Sequence, residues 1–259
     1  MGITRYSADN SKRDIERRFH DAKACSNSSP DPRNFYSAGG LDRVWRVYLS
    51  SAGDLRGKKV LDFGCGEGWS TVEYAKRGAK VYAFDLSPES VRNLVWEAKE
   101  AGVAGAIHPV VMAAEDLGYP DGIFDLVLGV SILHHTEVLP AGREIMRVLK
   151  SGGRALFIEP LAHNPLLRVF RWLTPGRRTP TEQPMTVKRI GEFGRAFGTM
   201  RYEGFYLLSI FPQGLYWLTG NQWLFRRSLW LAESLDRWLL RICPLLKRYC
   251  WTAMIEVRK

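Results

Sequence analysis

The sequence predicts an α/β fold built on a doubly wound, mostly parallel sheet. Three observations carry this prediction. Short apolar strand patterns alternate with helical patterns between residues 60 and 159, a glycine-rich turn follows the first strand, and the fourth strand pattern is apolar at nearly every position. Alternation at this spacing indicates parallel strands with helices on both faces, and a nearly continuous apolar strand is typical of one covered on both sides.

The predicted elements follow one another in order. Strands are expected at 60–63, 80–85, 108–112, 124–130 and 154–159. Helices are expected at 13–24, at 41–52, from the glycine turn to Lys76, at 88–101 and at 138–149. Ser87 is expected to cap the helix that begins with Pro88, because a serine in this position can accept a hydrogen bond from a free amide of the first turn.

The composition changes after Pro160, where four prolines interrupt a basic segment. Beyond it the pattern predicts a helix at 186–197, a strand at 204–211, an amphipathic segment at 222–246 and a final strand in WTAMIEVRK. In the amphipathic segment Leu231, Leu235 and Trp238 fall on one side, with Arg237 and Arg241 on the other.

The charge is distributed unevenly. Residues 1–159 hold 21 basic and 21 acidic side chains, whereas residues 160–259 hold 16 and 6, so the net charge of +10 lies in the last hundred residues. This asymmetry suggests an anionic partner, such as an acidic substrate, a membrane surface or a nucleic acid. A solvated basic face explains it equally well.

The remaining composition excludes several classes of protein. The four cysteines form no CxxC pair and no metal-like cluster, so we expect free thiols in a reducing cytoplasm and no metal. The sequence contains no run of 18 apolar residues, so it predicts no membrane span. Its polar start, MGITRYSADNSKRD, does not resemble a secretory signal.

The glycine turn and two acids indicate a nucleotide-type cofactor. Gly64 and Gly66 allow a sharp turn that a ligand can approach closely. Asp85 ends the second strand, where a carboxylate can accept both hydrogen bonds of a ribose diol. These features fit a nicotinamide dinucleotide as well as S-adenosylmethionine (SAM). Asp62 beside the turn favours SAM, because a carboxylate repels a diphosphate but attracts an ammonium and a sulfonium.

The segment VLDFGCGEG resembles the first motif of class I SAM-dependent methyltransferases. Further segments match in order: VYAFDLSPESV, AEDLGYPDGIFDLV, SILHHTE and REIMRVLKSGGRALFIEP. The similarity is greatest to the group that contains ubiquinone/menaquinone-biosynthesis and natural-product methyltransferases. It implies a Rossmann-like, seven-stranded sheet with SAM across the ends of the first, second and fourth strands. It also implies three regions in one domain: an N-terminal helical segment (1–54), a SAM-binding core (55–160) and a substrate-binding cap with the last strands (161–259).

The resemblance further implies which residues hold SAM. Gly64 and Gly66 would back the methionine part, Asp85 would hold the ribose, and Val130 and His135 would face the methionine side. The expected cofactor contacts are Tyr36, Asp62, Gly64, Cys65, Gly66, Asp85, Leu86, Ala114, Glu115, Val130 and His135. Many relatives carry an acid where this chain has Ala113, so Glu115, Asp116 or a backbone carbonyl is assigned to the amino group of adenine.

Three residues are candidates for a catalytic base. His134 and His135 lie on the loop after the fourth strand, beside the expected methyl group, and imidazole has a suitable pKa. Glu159 ends the fifth strand. Alternatively, the histidines cap the loop and pack against SAM, and Glu159 is a structural carboxylate paired with an arginine. The substrate candidates are His163, Arg168 and Arg171, since arginine pairs well with phosphate or carboxylate.

The sequence therefore predicts a cytoplasmic SAM-dependent methyltransferase for a small hydrophobic or anionic acceptor, which could be lipid-like, an isoprenoid or a natural product. Its tryptophans at 217, 223, 230 and 238 are expected mainly to pack in the core, with membrane contact through 222–246 as the alternative. An RNA methyltransferase is the rival enzyme, but no RNA-binding module or NPPY-type motif supports it. A scaffold without catalysis is disfavoured by the intact Gly64, Gly66 and Asp85, and a nicotinamide enzyme is a distant third.

Overall fold

The computed structural model describes residues 3–25 and 41–259, with side chains described from Ser11 onward except that of Arg177. Within these residues the strands are β1 (Lys59–Phe63), β2 (Lys80–Asp85), β3 (Ile107–Val111), β4 (Phe124–Val130), β5 (Leu149–Pro160), β6 (Thr199–Phe205) and β7 (Thr252–Arg258). The helices are α1 (Ile3–Cys25), α2 (Asp42–Ala52), α3 (Trp69–Lys76), α4 (Pro88–Glu100), α5 (Val138–Val148), α6 (Pro165–Leu173), α7 (Val187–Gly194), α8 (Phe211–Thr219) and α9 (Gln222–Ile242).

The strands form one seven-stranded sheet in the order β3-β2-β1-β4-β5-β7-β6. Strands β1 to β5 pair in parallel, with Val60 opposite both Val81 and Leu126. Strand β7 is antiparallel to both β5 and β6. The predicted doubly wound, mostly parallel sheet is therefore confirmed, including the seven strands that the resemblance implied.

Two apolar layers cover the faces of the sheet. On one face Val60, Val81 and Leu156 pack with side chains of α2, α3 and α4. On the other face Leu61 and Phe157 pack with side chains of α5 and α7. Because consecutive strand residues point to opposite faces, a strand buried on both sides is mostly apolar, which explains Val60, Leu61 and Phe63 in β1 and residues 126–130 in β4.

Helix α4 begins as predicted. The hydroxyl of Ser87 accepts a hydrogen bond from the amide of Ser90 at 3.1 Å, and Pro88 occupies the first turn. This side chain satisfies one of the amides that the first turn leaves without an intrahelical partner. The cap fixes where β2 ends and α4 starts, and so it fixes the position of Asp85.

The strand predicted at 204–211 is wrong. Strand β6 ends at Phe205, and Phe211 starts α8. Tyr206 has a φ of +64°, which ends the extended chain. The amides of residues 207, 208 and 209 then turn toward the carboxylate of Asp236 at 3.0, 2.7 and 3.3 Å. The actual strand is a polar edge strand, so its sequence lacks the apolar signal of a central strand.

The expectation that the tryptophans pack in the core is also wrong. Trp217, Trp223, Trp230 and Trp238 are 56%, 66%, 61% and 58% exposed. Helix α9 contacts the core through Phe225, Asp236 and Leu240, which are its buried residues. Its apolar stripe, with Leu231, Leu235 and Ile242, is exposed. Helix α9 is amphipathic, as the pattern at 222–246 predicts, but its apolar side faces outward.

Among the described helices, none combines the length and hydrophobicity that spanning a membrane requires.

Candidate functional site

A cavity of about 840 Å³ opens at the carboxyl ends of the parallel strands. Its floor is formed by the residues that follow β1, β2 and β4 and by the end of β5, and helices α1 and α2 contribute its walls. In a parallel sheet this edge is where ligands bind, because the loops from neighbouring strands converge there.

The glycine turn after β1 brings its backbone to the cavity. Gly64 has a φ of +75°, and a Cβ on it would lie 2.4 Å from Cγ1 of Ile132. Gly66 has a φ of +50°, and a Cβ on it would meet no atom within 4 Å. The first glycine is therefore required by close packing, and the second leaves open space beside the backbone. The amide of Cys65 donates to the carbonyl of Phe84 at 2.8 Å, which ties the turn to β2.

Asp85 lies at the tip of β2 and lines the cavity. Its Oδ2 accepts a hydrogen bond from the amide of Gly66 at 2.9 Å, and its Oδ1 accepts one from the amide of Ser87 at 2.9 Å. The carboxylate is thereby fixed between the glycine turn and α4. Since each carboxylate oxygen has a second lone pair, Asp85 can still accept the two hydroxyl groups of a ribose.

Asp62 lies beneath the turn and is not among the described residues that line the cavity. Its Oδ2 accepts hydrogen bonds from Thr71 at 2.5 Å and from Ser70 at 3.3 Å, and its Oδ1 is buried without a partner. Burial raises the pKa of Asp62 to about 7, although the two hydroxyl groups oppose the rise. Asp62 was expected to contact the cofactor, but its described contacts are with Ser70 and Thr71 at the start of α3, so it orients the glycine turn.

The side of the cavity expected to hold adenine is lined by Leu86, Met112, Ala113 and Ala114, together with Glu115. Oε1 of Glu115 accepts a hydrogen bond from the amide of Glu137 at 3.0 Å, and its Oε2 lies 3.5 Å from Nη2 of Arg13. Val130 lines the opposite side. The predicted cofactor residue Tyr36 lies outside the described residues.

Glu159 and His134 form a buried pair behind the cavity. Oε1 of Glu159 accepts hydrogen bonds from the amides of Ile132 and Leu133 at 2.8 and 2.7 Å, and its Oε2 lies 2.7 Å from Nδ1 of His134. Neither Glu159 nor His134 is among the described residues that line the cavity. Glu159 is thus a structural carboxylate that holds the loop after β4. Its side-chain partner is His134, whereas an arginine was the expected partner.

His135 is the candidate base that does line the cavity. Its Nδ1 lies 3.0 Å from Oε2 of Glu16 on α1. Oε1 of Glu16 accepts hydrogen bonds from the hydroxyl groups of Thr179, at 2.8 Å, and Thr181. Burial opposes ionisation of Glu16, but hydrogen bonds from His135, His20 and Thr181 hold the pKa of Glu16 well below its usual range. Burial lowers the pKa of His135, against the pull of Glu16.

The cover of the cavity comes largely from α1, which sequence reasoning did not assign to the site. Five side chains of this helix line the cavity: Lys12, Arg13, Glu16, His20 and Lys23. Lys12 is 2.5 Å from Glu137, which places α1 across the loop after β4. The i, i+4 spacing of Glu16 and His20, one helical turn apart on the same face, was the available signal.

The C-terminal region contributes less to the cavity than predicted. Trp251 and Thr252 line it, but His163, Arg168 and Arg171 are absent from its described lining. Arg168 is exposed, and Nη1 of Arg171 donates to the carbonyl of Leu161 at 3.3 Å. The three proposed substrate residues therefore lie away from the space in which an acceptor would meet the cofactor.

The residues of the cavity fit SAM. The open space beside Gly66 leaves room for a ligand against the backbone, and Asp85 presents a carboxylate with free lone pairs. The buried, unpartnered Oδ1 of Asp62 adds a negative or acceptor group beneath the turn. A ribose diol and a positively charged amino acid group match this donor and acceptor set.

Comparison with known proteins agrees with this chemistry. Residues 61–157 match a family described as "Methyltransferase domain". These residues therefore carry the sequence pattern of a methyltransferase domain. The ubiquinone/menaquinone biosynthesis C-methyltransferase UbiE of Vibrio vulnificus is 28% identical over 178 residues, which cover 66% of this chain and 66% of that protein. The match thus spans slightly less than two thirds of this curated relative.

Solved structures share the fold of this chain over nearly its whole length. Geranyl diphosphate C-methyltransferase from Streptomyces coelicolor A3(2) has a TM-score of 0.62 at 14% identity, covering 95% of this chain and 97% of that one. The [4+2]-cyclase SpnF has a TM-score of 0.60 at 19% identity, covering 96% of each chain. The same fold therefore carries different reactions, and the cofactor site of this methyltransferase domain does not by itself identify the acceptor.

Proposed function

We propose that this chain transfers the methyl group of SAM to a small acceptor that is hydrophobic or anionic. The observation that carries the proposal is one continuous cavity, which joins Asp85 and the glycine turn to His135 and to apolar side chains such as Ile158 and Trp251. When bound, SAM supplies a methyl group made electrophilic by its sulfonium. The protein then has to align the acceptor, exclude water and accept a proton.

His135 is proposed as the proton acceptor and Glu16 as the residue that positions it. An ionised carboxylate can only accept hydrogen bonds, so Nδ1 of a neutral His135 carries the hydrogen that points to Glu16. Nε2 then keeps its lone pair and can accept a proton from a hydroxyl or an acidic carbon. Because burial lowers the pKa of His135, the imidazole is neutral and ready to act near pH 7.

Glu159 and His134 are proposed to support His135 rather than to act on the acceptor. The two carboxylate oxygens of Glu159 hold three consecutive amides of the loop at Ile132, Leu133 and His134. The His134 ring lies 4.1 Å from that of His135, centroid to centroid. A loop fixed in this way limits the rotation of His135 and keeps its ring at the cavity wall.

An apolar acceptor is favoured by the part of the cavity wall that α2 contributes. Trp45 on α2 lies 4.7 Å from Trp69 and 5.3 Å from Tyr48, measured between ring centroids. Leu41 and Val44 continue this wall along the cavity. The similar proteins named for ubiquinone/menaquinone biosynthesis and for geranyl diphosphate also suggest an isoprenoid or a lipid-like compound.

The exposed side of α9 is proposed to contact a membrane surface. Trp230 and Trp238 are each more than half exposed, and Arg226, Arg227 and Arg241 lie among the exposed residues of the same helix. Helix α8 adds Trp217 and Leu218, which are 56% and 87% exposed. Tryptophan with arginine on an amphipathic helix fits the boundary between lipid headgroups and acyl chains. An apolar acceptor could then reach the protein from the membrane.

Methyl transfer is tested by incubating the protein with isotopically labelled SAM and a panel of isoprenoid quinol precursors, isoprenyl diphosphates, phospholipids and RNA. The labelled product is identified by mass spectrometry. We expect label in an apolar or anionic small molecule, and at least 100-fold less of it with His135→Gln. Labelled RNA and unlabelled small molecules would overturn the proposal in favour of an RNA methyltransferase. No label at all, with no binding of S-adenosylhomocysteine, would favour a scaffold.

Membrane contact is tested by co-sedimentation with vesicles of phosphatidylcholine and phosphatidylglycerol. We expect the double variant Trp230→Ser/Trp238→Ser to lose most of the binding. Trp96→Ser is the matched control, because Trp96 is 60% exposed but lies on α4. Equal loss in the control, or no binding by the unchanged protein, would contradict the membrane contact and leave the methyltransferase proposal intact.

A further inference from the structure

A second cavity, of about 570 Å³, lies between α2, the β6–β7 edge of the sheet and the end of α9. It shares no described lining residue with the cofactor cavity. The basic side chains that line it are Arg43, Arg201, Arg237, Arg241 and Lys247. Glu203 and Glu256 are its acidic lining residues. Five cations against two carboxylates give the basic pocket a net charge of +3.

Most of this positive charge has no ion-pair partner. Glu256 is used by Arg201 on the neighbouring strand, with its Oε2 2.9 Å from Nε of that residue, and it also pairs with Arg258. Arg43, Arg241 and Lys247 form no ion pair within 4 Å with any described residue. Glu233 attracts Arg43 and Arg237 from a longer distance, and it lies outside the lining of the pocket. Uncompensated cations in a concave site attract anions.

Arg43 lines the pocket and carries a donor that no described residue satisfies. Its guanidinium carbon lies 5.3 Å from the ring centroid of Phe205, which is fully buried. Its Nη1 is buried and has no hydrogen-bond acceptor among the described residues. A buried donor without a partner costs free energy in the empty state. An anion in the pocket would compensate this guanidinium.

We propose that the basic pocket binds a phosphate group. Guanidinium groups bind phosphate oxygens in a bidentate manner. Three guanidinium groups without an ion pair to a described residue line this pocket together with the ammonium group of Lys247: those of Arg43, Arg237 and Arg241. The phosphate could belong to the headgroup of an anionic phospholipid or to a small phosphorylated molecule in solution. Arg237 and Arg241 lie on α9, the helix that also carries the exposed Trp238 and Ile242, so a lipid whose headgroup entered the pocket would lie close to this helix. Only this lipid source rests on the membrane contact proposed above.

The test uses two matched double variants of the full chain. Arg237→Gln/Arg241→Gln removes two cations from the pocket, and Lys76→Gln/Lys99→Gln removes two exposed cations, on α3 and α4, that line neither cavity. The ligands are inorganic phosphate and glycerol 3-phosphate, measured by calorimetry. We expect the pocket double variant to weaken binding at least tenfold and the control double variant to change it less than twofold.

Vesicles distinguish the two sources of phosphate. If phosphatidylglycerol vesicles lose more affinity with the pocket double variant than with the control, the ligand is a lipid headgroup. If the variants bind vesicles equally while only soluble phosphate distinguishes them, the ligand is a soluble phosphorylated molecule. If the unchanged protein binds neither phosphate compound, or if both double variants lose affinity for these compounds equally, the proposed phosphate site is wrong. Binding of S-adenosylhomocysteine, measured in every variant, reports separately on folding and on the methyltransferase proposal.

Discussion

Nδ1 of His135 lies 3.0 Å from Oε2 of Glu16, a carboxylate 119 positions earlier in the chain. The histidine follows β4 in the methyltransferase domain, whereas the glutamate comes from α1, outside the residues that match the family. The proposed base is therefore completed by a helix that the cofactor motifs do not include.

The first prediction concerns the pH dependence of methyl transfer. In Glu16→Gln the rate should fall about 10- to 100-fold, because His135 loses the group that orients it and stabilises its protonated form. Glu16 raises the pKa of His135 against the effect of burial. Its removal should therefore move the acidic limb of the pH–rate profile to lower pH, while binding of S-adenosylhomocysteine is retained.

Asp14→Asn is the control for this experiment, since Asp14 is exposed on the same helix and pairs with Arg17. An equal fall in both variants would mean that α1 matters only as a cover. A shift of the acidic limb to higher pH would contradict the proposed direction of the interaction.

The second prediction concerns metals. Ligand atoms of Glu16, His20 and His135 lie within 4.8 Å of one another, a cluster that spacing in the sequence did not reveal. If His135 acts as a neutral base, EDTA should leave methyl transfer unchanged. One equivalent of Zn²⁺ should inhibit, because a metal would occupy the nitrogen lone pairs. His163→Gln, outside the cavity, controls for unrelated zinc binding. Loss of activity in EDTA, restored by a metal, would instead make the cluster a metal site.

The third prediction separates two glycines of the same turn. Gly64→Ala should lower the thermal stability strongly, because its Cβ would lie 2.4 Å from the side chain of Ile132 at a φ of +75°. Gly66→Ala should cost only about 1–2 kcal/mol, from its left-handed φ, since no atom lies within 4 Å of the added carbon. The Gly66→Ala variant should nevertheless bind S-adenosylhomocysteine at least tenfold more weakly. Calorimetry and thermal unfolding give both values, and unchanged affinity in Gly66→Ala would place the cofactor elsewhere.

The fourth prediction concerns Asp62, whose pKa burial raises to about 7. Between pH 4 and pH 7 the folded chain holds a proton on this carboxyl that the unfolded chain releases, so this group contributes stability at low pH that is lost as the pH rises through 7. Asp62→Asn should remove that slope. The difference in free energy of unfolding between the two proteins, from urea titrations at pH 5 and pH 8, measures it. A difference that does not change with pH would show that Asp62 titrates normally.

The sequence predicted the elements around the cofactor well, because local chemistry determines them. The bounds of β2 and β4 agree with prediction at both ends, and Ser87 caps α4 as expected. The capping serine, the turn glycines and the doubly buried strands each have a signal in adjacent residues. These signals extend from β1 to β5, which is also the part of the chain that carries the family resemblance.

Features that depend on distant contacts were missed or misread. Nothing near His135 in the sequence indicates Glu16, because their pairing depends on how α1 packs across the sheet. The outward-facing tryptophans of α9 were misread because a helical pattern gives the apolar side but not the side that meets the core. In this helix a buried acid, Asp236, occupies the side that faces the core, where it accepts hydrogen bonds from the amides of Leu207 and Leu208.

The anchoring of α9 through Asp236 has an evolutionary consequence. The carboxylate of Asp236, together with Phe225 and Leu240, holds the helix in place. Most other positions of the helix therefore contribute little to the stability of the fold. Those positions can change without loss of the fold, and the outer surface can adapt to a new environment while the catalytic domain stays the same. Descendants of this chain should therefore keep these three anchoring residues even where the exposed side of α9 has adapted to a different surface.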